Sequence, residues 1–110
     1  MKLPNRDKVI IPRNKLVKYL LSETHPHGKS KAKFFLKAGF KKSNARIFSK
    51  ALRNIAKESE VESKIISPHG EKYVLNGIIE SPIGKTMRIR TIWIIDKEQK
   101  RPRFVTAYPV

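Results

Sequence analysis

Apolar positions along the chain follow two rhythms. Over RNKLVKYLL, residues 13–21, Leu16, Tyr19 and Leu20 recur at helical spacing just after Pro12, a residue suited to a first helical turn. The spacing predicts a short helix from about 13 to 21. SETHPHG interrupts it with Pro26 and Gly28, so this stretch reads as a loop. KSKAKFFLKAGF predicts a second helix, roughly 29 to 38, with Ala32, Phe35 and Leu36 on one face and Gly39 placed to end it. A third helix, about 43 to 58, is expected to start at Ser43 as N-cap and to turn Phe48, Ala51, Leu52 and Ile55 inward.

Near residue 60 the period drops to two. VESKII, KYVLNGII, MRIRTIWII and RFVTAY alternate or are rich in β-branched and aromatic residues, and SPHGE, SPIGK and DKEQKRP separate them with turn formers. Parallel pairing would need crossovers of about a dozen residues, so these short connections imply an antiparallel meander. The expected fold is α+β, with about three N-terminal helices packed on a four-stranded antiparallel sheet, in one domain over residues 1–110. Met87, Ile89, Thr91, Trp93 and Ile95 alternate with Arg88, Arg90, Ile92 and Ile94, while Val105 and Ala107 alternate with Phe104, Thr106 and Tyr108. If the Trp93 side packs on the helices, the other side gathers Arg88, Arg90, Thr106 and Tyr108; a slip of one residue would scatter them.

Charge sharpens this picture. There are 25 Lys+Arg against 9 Asp+Glu, a net +16, and residues 1–59 carry 16 basic and 3 acidic residues while residues 60–110 carry 9 and 6. Lys29, Lys33, Lys37 and Lys41 recur along the second helix, and Arg46, Lys50, Arg53 and Lys57 along the third. Such a field attracts polyanions, with RNA or DNA first and an acidic protein or anionic membrane behind them. Lys29, Lys33, Lys37, Arg46, Lys50, Arg53 and Arg88 are the candidate nucleic-acid contacts. The chain has no cysteine and no run of about 18 apolar residues, which fits a cytoplasmic protein without a membrane span or a secretion signal of its own.

Few motifs carry chemistry. His25 and His27 lie in the loop before the lysine-rich helix, and imidazole can serve as the base or acid that RNA cleavage through the 2′-hydroxyl requires; exposed loop histidines without a task fit the same spacing. Zinc is a poor alternative for them, since His-X-His offers two ligands and no cysteine or convincing acidic partner completes a tetrahedral set, and no metal or cofactor is expected. Arg90, with Arg88 second, can clamp a phosphate bidentately, Thr106 can donate to a phosphate oxygen, and Tyr108 can donate, accept or stack on a base. Thr and Tyr also simply suit strands, and the arginines suit a solvated face. Asn76-Gly77 and Pro68-His69-Gly70 read as bulge or turn chemistry, and Trp93 as core. Nucleotide hydrolysis, glycoside cleavage and serine hydrolysis lack their phosphate loop, paired carboxylates and nucleophile elbow.

IPRNKLVKYLL, HPHGKSKAKFF, AGF, RTIWIID and PRFVTAYP, over nearly the whole chain, resemble a small uncharacterised bacterial domain family. It occurs as stand-alone proteins and at the C-termini of large secreted polymorphic toxins. More loosely, N-terminal helices followed by an antiparallel sheet ending in a Thr/Tyr strand are similar to the metal-independent ribonuclease fold of barnase, the tRNA-cutting colicins and RelE-type toxins. That likeness implies a cleft on the sheet face away from the main helix packing. It carries His25, Lys31, Arg90, Thr106 and Tyr108 over as catalytic residues, with His27 and Arg88 as substitutes; no catalytic glutamate stands out. The expectation is an endoribonuclease, toxin-like, that leaves a 2′,3′-cyclic phosphate and pairs with an acidic antitoxin or immunity protein. The alternative is a nucleic-acid-binding or regulatory module without activity.

Overall fold

The computed structural model describes residues 1–22 and 29–110. The helical half comprises α1, a single turn at Arg13–Lys15 that runs into a π-helical turn at Leu16–Leu20, then α2, Lys29–Lys37, and α3, Ala45–Glu58. Short 3-10 turns at Arg6–Lys8 and Lys42–Asn44 precede α1 and α3. The other half is a meander, β1 (Val61–Ser67), β2 (Gly70–Glu80), β3 (Thr86–Asp96) and β4 (Arg103–Pro109), every neighbouring pair antiparallel and the spatial order equal to the chain order. The α+β fold of three helices and a four-stranded meander is therefore as the hydrophobic pattern predicts.

Local chemistry explains most boundaries. Gly39 ends α2 at φ 96°, and the Phe40 N–H returns to the Phe35 carbonyl at 3.1 Å, which turns the Phe40 ring into the core. The start of α3 differs from expectation. Ser43 is not its cap but an exposed residue within the 3-10 turn, and Asn44 occupies the N-cap. The Asn44 side chain instead accepts from the Lys41 N–H (2.8 Å) and donates to the Gly39 carbonyl (3.0 Å), tying the end of α2 to the start of α3.

The core lies between the helices and one face of the sheet. Trp93, Thr91 and Ile89 of β3, Tyr73 and Leu75 of β2, and Phe104 and Ala107 of β4 meet Phe35, Phe48 and Leu52 of the helices, all essentially without solvent exposure. The Trp93 side thus packs inward, as its greater apolarity requires. Two features differ from the sequence pattern. Asn76-Gly77, inside the KYVLNGII run, forms neither bulge nor turn and stays in unbroken register with Arg90 and Ile89 of β3. Glycine is needed there because α3 crosses so closely that a Cβ on Gly77 would stand 2.6 Å from Cγ1 of Ile55. Gly77→Ala is expected to cost about 1–3 kcal/mol of stability by overpacking; urea unfolding followed by Trp93 fluorescence measures this, and an unchanged midpoint would mean Ile55 moves aside freely.

The second feature is the N-terminal segment, which secures both edges of the sheet. The Val61 N–H bonds to the Met1 carbonyl beside β1, while Ile10 exchanges backbone hydrogen bonds with Pro102 and Phe104 beside β4. Arg53 of α3 donates to the Val9 carbonyl at 3.0 Å, so this cation of the basic row also holds the segment in place.

Candidate functional site

The site forms where α1 and α2 meet the β4 edge. A bulge in β4 sets its geometry: Ile92 pairs with Thr106 but Trp93 with Phe104, leaving Val105 as the extra residue. Phe104, expected on the side of Thr106 and Tyr108, is therefore on the opposite face, buried against Trp93 with ring centroids 5.3 Å apart. Because the bulge precedes Thr106, Thr106 and Tyr108 keep their register with Ile92 and Arg90 and share the outer face with them. Arg90 is directly opposite Tyr108 on one side and Asn76 on the other, and its Nε donates to Asn76 Oδ1 at 2.9 Å. Arg88 follows on the same face, exposed and opposite Ile78.

α2 places Lys31 at this face. Ala32 and Phe35 enter the core, which leaves Lys31 half-buried at the margin, away from the exposed Lys33 and Lys37. Its Nζ donates to the Tyr19 phenol oxygen at 2.7 Å and to Thr106 Oγ1 at 3.2 Å, and lies 5.9 Å from the centre of the Tyr108 ring. The same ammonium is 5.1 Å from the centre of the Tyr19 ring, and Lys15 Nζ is 5.5 Å from it. Burial pushes the Tyr19 phenol up, but its hydrogen bonds with Lys31 and Thr106 and the charges of Lys31 and Lys15 outweigh burial and leave it below the ordinary phenol value.

Four sequence-predicted residues, Lys31, Arg90, Thr106 and Tyr108, are thus brought to one face, with Arg88 beside them. His25 and His27 lie outside the described residues, as does the Lys29 side chain. Arg46, Lys50 and Arg53 are exposed on α3, the helix that covers the opposite, Trp93 face of the sheet, so they form a separate basic surface. Sequence reasoning misses Tyr19 and Asn76, because helical spacing shows Tyr19 only as part of an apolar face and Asn76-Gly77 reads only as bulge or turn chemistry.

The family described as a domain of unknown function (DUF6883) matches residues 2–110. The chain belongs to that family. No curated protein matches it. Among solved structures, a chain of the contact-dependent growth inhibition toxin–immunity protein complex from Klebsiella pneumoniae 342 is similar in fold, with a TM-score of 0.75 and 17% identity, covering 94% of this chain and 95% of that one. This DUF6883 chain therefore shares its arrangement of helices and meander over nearly its full length with a component of a toxin–immunity complex. No helix among the described residues is long and apolar enough to cross a membrane.

Proposed function

We propose that this domain is a metal-independent endoribonuclease with a toxin role. The observation that carries the reading is the Lys31 ammonium, hydrogen-bonded to Tyr19 and Thr106 on the face that holds the Arg90–Tyr108 pair. In the reaction, a base takes the proton of a ribose 2′-hydroxyl as its oxygen bonds to the adjacent phosphorus. The P–O5′ bond then breaks, an acid protonates the leaving oxygen, and a 2′,3′-cyclic phosphate and a 5′-hydroxyl result. The phosphorus passes through a state with an added negative charge, and fixed cations and donors aimed at it lower the barrier.

Lys31 and Arg90 supply those cations, Thr106 supplies a hydroxyl donor, and the Tyr108 ring stacks on a base or its phenol protonates the leaving oxygen. His25, in the segment joining Ser22 to α2, is the proposed base. The fold likeness to a chain from a toxin–immunity complex supports a toxin or immunity-related role, and the net +16 suits an acidic immunity protein as the partner. The basic surface of α3 supports a second reading, a nucleic-acid-binding module without activity, because polyanion binding there needs none of the sheet-face residues.

Incubating the purified protein with bulk tRNA in EDTA separates the two. Cleavage to 2′,3′-cyclic phosphate ends, lost in Arg90→Ala and His25→Ala, supports the enzyme. Intact tRNA with salt-sensitive binding supports the module and removes the ribonuclease.

A further inference from the structure

The segment that delivers Tyr19 to the site is wound unusually. Leu16–Leu20 is π-helical, and the Leu21 N–H reaches back to the Leu16 carbonyl at 2.8 Å. In an α-helix residues five apart point about 140° from one another. The wider turn stacks Leu21 over Leu16, so that Leu16, Leu20 and Leu21 are all buried while Tyr19 remains half-exposed at the core margin, its phenol oxygen 2.7 Å from Lys31 Nζ. Single π-turns are rare and occur frequently at functional sites.

An ammonium has three N–H donors and no acceptor. Among the described residues, Lys31 directs one to Tyr19 and one to Thr106. We infer that Tyr19 is a positioning residue of this site: its phenol oxygen, aimed by the π-turn, clamps the Lys31 ammonium against Thr106 so that the remaining N–H is presented to a phosphate oxygen of bound RNA. Without the clamp, a long lysine side chain would sample many rotamers and spend little time at the reacting phosphate. This role rests on the ribonuclease reading for its substrate, but the clamp itself is a property of the free protein.

Tyr19→Phe keeps the ring and its packing and removes only the oxygen. In nitrogen-15 spectra of the lysine ammonium groups, Lys31, assigned by its loss in Lys31→Met, is expected to be visible in the wild type because its protons exchange slowly. It should vanish or broaden in Tyr19→Phe. Tyrosinate absorbance gives a second readout of the free protein. Tyr73 is pushed up to about 12 by burial and its hydrogen bond to Glu71, so it lies clear of the Tyr19 titration. The phenol that titrates below the ordinary value should be absent from Tyr19→Phe and move upward in Lys31→Met, a response that a merely structural tyrosine would not give.

With tRNA, Tyr19→Phe should lower kcat by about tenfold to a hundredfold with KM and melting temperature little changed. An unchanged Lys31 ammonium signal in Tyr19→Phe overturns the clamp whether or not the wild type cuts RNA. An unchanged kcat, in a wild type that does cut, overturns the role in catalysis while leaving the ribonuclease reading intact. A wild type that cuts no RNA but shows both spectroscopic effects removes the ribonuclease reading alone, and the clamp stands.

Discussion

Lys31→Ala is expected to slow tRNA cleavage by about 10²–10³-fold, the loss that follows when one preorganised charge donor is withdrawn from a transition state. The fold should survive. Lys31 is half-buried at the end of the core rather than in it, and its two hydrogen-bond partners, Tyr19 and Thr106, are also hydrogen-bonded to each other. Removal of the ammonium therefore leaves no orphaned polar group there, and the stability change should stay within about 1 kcal/mol. Lys31→Arg should not restore the rate. A guanidinium is planar and spreads its charge over a fork, whereas the site converges on one nitrogen with oxygens at 2.7 and 3.2 Å. Single-turnover cleavage with enzyme in excess measures the chemical step directly. If Lys31→Ala cuts at the wild-type rate, the ammonium has no part in the chemistry, and the sheet face loses its strongest claim to be the active centre.

The largest effect on stability is expected at Trp93. Its ring is fully buried and packs edge-to-face on Phe104 at 5.3 Å; its Nε1–H donates to Thr91 Oγ1 at 2.8 Å, and the Thr91 hydroxyl donates in turn to the Leu75 carbonyl at 2.8 Å. Trp93→Ala would open a cavity between sheet and helices and remove the donor of that relay, at a cost of about 3–5 kcal/mol. A domain of this size holds roughly 5–15 kcal/mol in total, so the variant should be partly unfolded or close to it at ordinary temperature. Trp93→Phe, which refills most of the space, should cost less. Urea unfolding followed by circular dichroism tests both, with Lys72→Ala, exposed on the other face of the sheet, as a neutral reference. A Trp93→Ala protein with wild-type stability would show that the packing between helices and sheet is not the source of the fold's stability.

These two residues mark how far local sequence pattern reaches. Trp93 was legible as core because alternation along β3 places it among Met87, Ile89 and Thr91, and a strand has only two faces. Lys31 was harder. Its place off the row of Lys33 and Lys37 was visible from helical spacing, but its partners are 12 and 75 positions away in the chain. The convergence of Arg90, Thr106 and Tyr108 depended on register, and register held only because the β4 bulge falls at Val105, ahead of Thr106. The bulge did overturn the placement of Phe104, which simple alternation puts beside Thr106. Tyr19 escaped notice because the π-turn depends on three leucines reaching the core together, a demand of packing that no local pattern reveals.

By itself the sequence determined the order of helices and strands, the antiparallel connections, the inward side of β3 and the uneven positive charge. Those properties are local: side-chain period, turn residues and charge act over a few neighbouring positions whatever the rest of the chain does. The tertiary structure alone decided the bulge, the π-turn, the mid-strand glycine under Ile55, the N-terminal segment spanning both sheet edges and the meeting of Lys31 with Tyr19 and Thr106. Each of these arises where distant segments compete for the same space, so its outcome is settled by close packing and by the need to satisfy buried polar groups.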